Sequence, residues 1–230
     1  MKTKTLIVIL CMVALVSKAQ TSSTTTLGKT TFGFRGGVNF QNFNGKDVDG
    51  NTIKNNLVTR FHAGINIEIP VATDFYFQPG ILYNSKGSLR KQTISGQPYN
   101  SNYMVNYIEV PLNLVYKPLL GSGHLIIGFG PYVAYGIGGK AKYDLAGNSH
   151  TEKIKFKNSV GSGDATDVTY FRPFESGANL LFGYEFSNRL SFQLNVQLGL
   201  TKINPSYSSI PNDKASVKNT GFGLSLGYRL

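Results

Sequence analysis

Seven ionisable side chains fall on the polar face of stretches in which apolar and polar residues alternate. A histidine close to carboxylates is a candidate acid–base pair, but no serine or water-activating partner stands at a telling spacing from His62. If this polar face lines the interior of the fold, unpaired charges on it are costly. The set therefore predicts a network of mutually paired groups and no catalytic residue. An ion or proton path is the alternative use of such a set. Its members are Arg35, His62, Glu68, Glu109, Glu175, Glu185 and Arg229.

A weak candidate calcium site lies in the first long polar segment. Asp47, Asp49 and Asn51 place oxygen ligands two residues apart beside a glycine, as at the start of a calcium loop. The twelfth position counted from Asp47 is Val58, where such a loop needs a glutamate. The segment therefore predicts a plain turn. The single cysteine, Cys11, lies in an N-terminal apolar run, so no disulfide and no thiolate metal site are expected in the rest of the chain. No metal and no cofactor are predicted.

Basic residues are concentrated in two of the long polar segments. Clustered lysines and arginines attract phosphate groups, so electrostatic contact with a phosphate-bearing membrane surface is one expectation, and simple solvation of the lysines is the other. A nucleic-acid partner is not expected, because a basic stripe interleaved with aromatic residues is missing. The basic set consists of Lys86, Arg90, Lys91, Lys140, Lys142, Lys153, Lys155 and Lys157.

The N-terminal residues have the features of a secretory signal peptide. Lys2 and Lys4 precede an apolar run, and Ser17-Lys18-Ala19 supplies a small-residue cleavage site. The predicted organisation is a signal peptide over 1–19, a periplasmic linker over 20–30 and a barrel domain over 31–230. Removal of the signal peptide would leave 20 Lys and Arg against 12 Asp and Glu, a net charge of +8 that suits an anionic surface.

The rest of the chain alternates with a period of two, which predicts β-strands with one apolar face. Long polar segments near 43–59, 87–102, 137–170 and 202–218 alternate with short turns, an asymmetry typical of bacterial outer-membrane barrels. The expected fold is all-β: an eight-stranded antiparallel up-and-down transmembrane β-barrel with long outer loops and short periplasmic turns. The strands are expected near 32–40, 61–69, 74–86, 103–116, 124–136, 178–186, 190–200 and 222–230.

Barrel size indicates which face points outward. An eight-stranded barrel is only wide enough to be filled by side chains, and glycines such as Gly37, Gly64 and Gly183 lie on the polar face. The bulky apolar face therefore suits lipid, where a closed sheet also pairs every backbone group. Pro79, Pro111 and Pro131 fall inside the expected strands and predict local bulges.

Four short motifs carry a resemblance to a known family. They are Gln78-Pro79-Gly80-Ile81-Leu82-Tyr83, Asn106-Tyr107-Ile108-Glu109-Val110-Pro111-Leu112, Gly130-Pro131-Tyr132 and Gly223-Leu224-Ser225-Leu226-Gly227-Tyr228-Arg229. Together they resemble the PorT-like outer-membrane β-barrel family over roughly residues 31–230. The resemblance implies a porin-like barrel, and the founding type is associated with protein secretion across the outer membrane.

These observations predict a non-enzymatic integral protein of a Gram-negative outer membrane, with a closed polar lumen and a structural or interaction role at the cell surface. The expected partners are outer-membrane lipids, lipopolysaccharide, the barrel-assembly machinery during biogenesis and a protein bound at the basic loops. A small porin-like channel or a component that assists secretion is the first alternative. A soluble periplasmic ligand-binding barrel is the second.

Overall fold

The computed structural model describes residues 28–230, and β-strands dominate it. The predicted signal peptide and most of the predicted linker lie outside the described residues. No helix within 28–230 is long and apolar enough to cross a membrane. The strands are β1 Thr31–Lys46, β2 Val58–Ala72, β3 Phe75–Ile94, β4 Gln97–Tyr116, β5 Leu119–Leu120, β6 Gly123–Leu145, β7 Asn148–Phe156, β8 Ser159–Val160, β9 Val168–Phe171, β10 Phe174–Glu185, β11 Leu190–Gly199, β12 Ser206–Tyr207 and β13 Ser216–Arg229.

Eight of these strands form a closed antiparallel ring in the order β1, β2, β3, β4, β6, β10, β11, β13. The ring closes where β13 pairs with β1, from Gly33 opposite Arg229 to Lys46 opposite Ser216. Closure leaves no unpaired sheet edge in the ring. The antiparallel all-β prediction is thereby confirmed, and the ring contains the eight expected strands.

The alternation of residue types sorts side chains between the two faces of the ring. Phe34, Phe129 and Leu226 point outward and are more than half exposed, at 54%, 59% and 59%. Arg35 and Glu109, on the opposite face, are buried. This arrangement is apolar outside and polar inside, the reverse of a soluble ligand-binding barrel and the pattern of a lipid-embedded one.

Several strands continue well beyond the apolar band. β3 and β4 extend as a hairpin through Ile94 and Gln97, and β6 runs on to Leu145 before β7 folds back along it. Much of 87–102 and 137–156 is therefore strand, where the sequence pattern predicted loops. The reason is physical: a hairpin that projects into water has no lipid face, so its outward residues are polar and the apolar alternation disappears.

The expected bulges at Pro79, Pro111 and Pro131 are absent. The registers of β3 with β4, and of β6 with β10, are the same on both sides of these prolines. Register shifts occur instead between Pro70 and Ala72, and between Asn106 and Tyr107. The second shift lies where β4 and β6 begin to project from the ring.

The two ends of the ring differ in their connections. Only Thr73 and Asp74 join β2 to β3, and four residues join β10 to β11. Gly33 and Arg229, near the two ends of the described chain, also lie at this short-turn end. The projecting hairpins lie at the opposite end, which is called the hairpin end below.

Candidate functional site

A four-residue ion cluster fills the lumen near the short-turn end. Lys117 Nζ lies 3.0 Å from Glu68 Oε2 and 2.6 Å from Glu185 Oε2. Arg229 donates to Glu185 Oε1 through Nη2 at 2.6 Å and through Nε at 3.0 Å. Gln78 donates to Glu68 Oε1 at 3.0 Å. Two cations and two carboxylates thus neutralise one another at the turn-end cluster.

A second ion cluster occupies the middle of the lumen, around Lys86. Lys86 Nζ lies 3.0 Å from both Glu109 Oε2 and Glu175 Oε1, and all three residues are fully buried. The remaining carboxylate oxygens accept hydrogen bonds from Gln197 at 2.6 Å and Asn219 at 2.7 Å. Such completeness matters, because a buried ion pair offsets its desolvation only when its other polar atoms are also satisfied.

Arg35 lies between the two clusters. Together with Lys86, Lys117 and Arg229 it brings the lumen to four cations and four carboxylates, but Arg35 itself forms no ion pair with a residue within 28–230. Its Nε and Nη1 are buried and donate to no residue within 28–230. The guanidinium faces two cavities of about 20 Å³ each, which have room for about one water molecule apiece. Ordered water is therefore the expected partner of Arg35.

An apolar cap packs inside the ring above the Lys86 cluster, toward the hairpin end. Ile154 of β7, Phe171 of β9 and Ile203, between β11 and β12, pack inside the ring against side chains of β1, β4 and β6. Tyr132 joins the two layers, because its hydroxyl donates to Glu175 Oε1 at 2.6 Å. The buried residues of the cap are Phe43, Val105, Tyr107, Tyr132, Ala134, Ile154, Phe171 and Ile203.

Gly177 makes the position of Tyr132 possible. A Cβ at residue 177 would lie 2.5 Å from the Tyr132 ring, closer than real Cβ atoms approach. The same neighbouring strands carry Glu175, so the glycine lets the ring reach its carboxylate partner. Small residues on the lumen face therefore leave space for a few large polar ones.

A serine and a histidine meet inside the lumen. His62 Nε2 lies 2.8 Å from Ser225 Oγ, and His62 Nδ1 lies 2.7 Å from Asn39 Oδ1. The order serine, histidine, amide is that of an activated nucleophile. Ser225 is only 1% exposed, however, and the adjoining cavity of about 20 Å³ excludes a substrate. We interpret the three residues as part of the polar lumen packing.

The projecting β6–β7 hairpin carries a lysine ridge, defined here as Lys140, Lys142, Lys153 and Lys155. Lys140 lies directly opposite Lys153 in the β6–β7 ladder. All four side chains are exposed, while Ala141 and Ile154 between them are buried in the protein. None of the four forms an ion pair with a residue within 28–230. The ridge is a concentrated positive surface just beyond the apolar band.

Lys157, which follows β7, differs from the ridge because it forms an ion pair with Asp164. That contact, together with a hydrogen bond from the Gly161 amide, lowers the pKa of the Asp164 carboxyl. Arg90 and Lys91 lie on the other projecting hairpin and form no ion pair among the described residues.

The candidate calcium segment forms a turn. Asp47 Oδ1 accepts hydrogen bonds from the backbone amides of Asp49 at 3.1 Å and Asn51 at 2.8 Å. Gly50 adopts a left-handed conformation, with φ of 91°. The Asp47 carboxylate is thus used to hold the backbone, as in an Asx-turn.

All seven residues of the expected polar network lie inside the ring, and one of the basic residues joins them. Lys86 was expected in an exposed outer loop, but it is fully buried between Glu109 and Glu175. The correction follows from the length of β3, which continues past Lys86 and keeps its side chain on the lumen face. Sequence reasoning also missed Lys117 and Ser225. The charge balance of the expected network offered a signal. Its four carboxylates were matched by two arginines, Arg35 and Arg229, so further cations were needed in the lumen.

The comparison with protein families identifies the class. A model described as outer membrane protein beta-barrel domain matches residues 18–204, which is most of the chain. The protein belongs to this family of outer-membrane β-barrels. The PorT-like subdivision stays a prediction. A search of curated proteins found no match.

Among the solved structures similar to the chain are three with a TM-score of 0.40 each. Ail, the attachment invasion locus protein of Yersinia pestis, is 14% identical, and the match covers 88% of this chain and 100% of that one. Ail in complex with the heparin analogue sucrose octasulfate is 15% identical, with the same coverage. Neisserial surface protein A is 13% identical, over 88% of this chain and 99% of that one.

Proposed function

We propose that this protein is a closed, non-enzymatic barrel that acts at the cell surface, where its lysine ridge binds the phosphates of lipopolysaccharide. The short-turn end would face the periplasm and the projecting hairpins the exterior, as in bacterial barrels generally. The ridge would then lie at the level of the lipid headgroups. The proposed role is structural: the ridge attaches the barrel to lipopolysaccharide, and the barrel presents its hairpins at the cell surface.

The observation that carries the proposal is the direct pairing of Lys140 with Lys153. Like charges opposite each other in a ladder destabilise the pair, and no carboxylate within 28–230 relieves them by an ion pair. An external anion of high charge density would relieve this repulsion. Phosphate groups held just outside the apolar band match that requirement in both charge and position.

The test is binding of purified lipopolysaccharide to the barrel in phospholipid nanodiscs. We expect Lys140→Gln/Lys153→Gln to weaken binding about tenfold, and the remaining binding to fall less steeply with salt because fewer charges take part. Lys54→Gln/Lys214→Gln removes two exposed lysines away from the ridge and serves as the matched control. The proposal is refuted if the two double variants bind lipopolysaccharide with equal affinity. It is also refuted if the wild-type barrel binds enzymatically dephosphorylated lipopolysaccharide as tightly as the intact form.

The packing of the lumen supports a non-conducting barrel over the porin-like alternative. Two ion clusters and the apolar cap lie in series across the interior, and the cavities beside Arg35 hold about 20 Å³ each. We expect single-channel recordings in planar bilayers to show no discrete conductance steps above background. Stable ohmic steps in wild-type protein would favour a channel instead.

A further inference from the structure

A cleft opens above the apolar cap at the hairpin end, outside the apolar band. Its volume is about 410 Å³, within the range of pockets that hold small organic ligands. The cap forms its floor through Phe43 and Phe171, and Tyr103, Tyr143 and Tyr207 contribute to its walls. Most of the lining side chains are aromatic or aliphatic, so the cleft favours an apolar ligand body.

The aromatic wall is held in place by its own contacts. The Tyr103 ring meets the rings of Phe171 and Tyr143 edge to face, with centroids 6.0 Å apart in both cases. Phe43 packs on Phe171 at 5.7 Å. The Tyr143 hydroxyl lies 2.8 Å from Thr169 Oγ1, which in turn donates to Glu152. A wall built in this way is organised before a ligand arrives, which reduces the entropy cost of binding.

The charge of the cleft is positive. Arg90 and Lys46 line it, and neither forms an ion pair with a residue within 28–230. The only acidic residue in the lining is Asp47, whose carboxylate is engaged with turn amides. Burial raises the pKa of the Tyr103 and Tyr143 hydroxyls, so both rings stay neutral near pH 7. The cations are therefore available to an anionic group.

We propose that this cleft binds a small amphipathic organic anion, whose aromatic or branched apolar body lies against Tyr103 and Phe171 while its carboxylate pairs with Arg90. The guanidinium suits this role, because its planar donors match a carboxylate in two parallel hydrogen bonds. The site is distinct from the lysine ridge, which faces the membrane surface. A barrel that uses both would carry a small ligand at its exposed end while its side is held by lipid phosphates.

The probe is 2-naphthoate, titrated calorimetrically into the barrel in nanodiscs, with 2-naphthylmethylammonium as its cationic counterpart. We expect saturable one-site binding of naphthoate and at least tenfold weaker binding of the cation. Arg90→Gln should weaken naphthoate about tenfold, the loss expected for one charge-assisted contact. Lys91→Gln is the matched control, because its side chain is exposed and does not line the cleft.

A second variant tests the cleft itself. Ala215→Phe places a ring in the space beside Val217, and we expect it to abolish naphthoate binding while the barrel keeps its heat-modifiable gel shift. Lys140→Gln/Lys153→Gln should bind naphthoate as wild type does, which separates this site from the proposed lipopolysaccharide contact. The inference is overturned if naphthoate fails to saturate, if the anion and the cation bind equally, or if Arg90→Gln and Ala215→Phe leave the affinity unchanged.

Discussion

The short-turn half of the lumen and the apolar cap fill the same ring by opposite means. Around Lys86 and Lys117 the interior is ionic, whereas around Ile154 and Ile203 it is hydrocarbon. Strand β6 passes through both regions. Phe129 points outward within the apolar band, whereas Lys142 points outward in the projecting part, where Ala141 is buried. The outward residues match the medium outside the ring: they are apolar where lipid surrounds it and polar where the strand projects into water.

The largest effect should come from breaking the ion pairs of Lys86 in the middle of the lumen. Lys86→Met leaves Glu109 and Glu175 facing each other without their shared cation. We expect the free energy of unfolding to fall by about 3–5 kcal/mol, the usual loss when one partner of a buried pair is removed. Urea unfolding in lipid vesicles, followed by the gel shift of the folded barrel, measures it.

Two further variants control that experiment. Lys140→Met removes an exposed lysine from β6 and should change the unfolding free energy by less than about 0.5 kcal/mol. Lys86→Met/Glu175→Gln should recover part of the loss, because one of the two uncompensated charges is gone. Equal unfolding free energies of Lys86→Met and wild type would show that the Lys86 ion pairs do not stabilise the folded barrel.

The next effect concerns the outward face of β6, where the two regions require opposite residues. Phe129→Lys places a charge in the apolar band and should cost about 2–4 kcal/mol of folding free energy in vesicles. Lys142→Leu, on the same strand beyond the band, should be nearly neutral. If both substitutions had the same effect, the lipid boundary would not lie between residues 129 and 142.

A smaller effect is expected in the cap. Ile203→Ala removes buried methyl groups from a fully buried side chain and should cost about 2 kcal/mol, the low end for such deletions. The low value is expected because the cap borders a cleft into which its neighbours can relax. Hydrogen exchange should speed up at β7 and β9 and stay unchanged around Glu68. Uniform acceleration throughout the ring would contradict a separate cap.

The smallest effect involves the ion pair of Lys157 with Asp164, which is exposed to water, unlike the lumen pairs. Lys157 lowers the Asp164 pKa below its ordinary value of 3.8, so the contact stabilises the loop above that pH and is lost as the pH falls through the depressed pKa. Asp164→Asn should speed local hydrogen exchange at pH 7, after correction for intrinsic rates. Wild type should match the variant only at a pH below 3.8, and a match already at pH 6 would refute the assignment.

Much of the ring could be predicted from sequence, because lipid imposes a strict apolar alternation on strands such as β11 and β13. The projecting hairpins could not, since water on their outer face permits polar residues at every second position. Lys86 lies at that transition and was therefore assigned to a loop. The network members on the lumen face followed from alternation, whereas their pairing depends on ring neighbours and cross-lumen distances that one strand does not encode. Lys117 lies just past β4, beyond the reach of the pattern.

The β1–β13 seam has a consequence for how the molecule is made. It joins Gly33 to Arg229, so the two ends of the described part of the chain must meet before the ring exists, and contacts of such long sequence separation slow folding. Lys86 on β3 and Glu175 on β10 meet only across that finished ring. Until the last strand arrives, these charges stay hydrated, and water must leave the interior as the seam forms. Ring closure and the drying of its interior are therefore one cooperative event at the end of assembly.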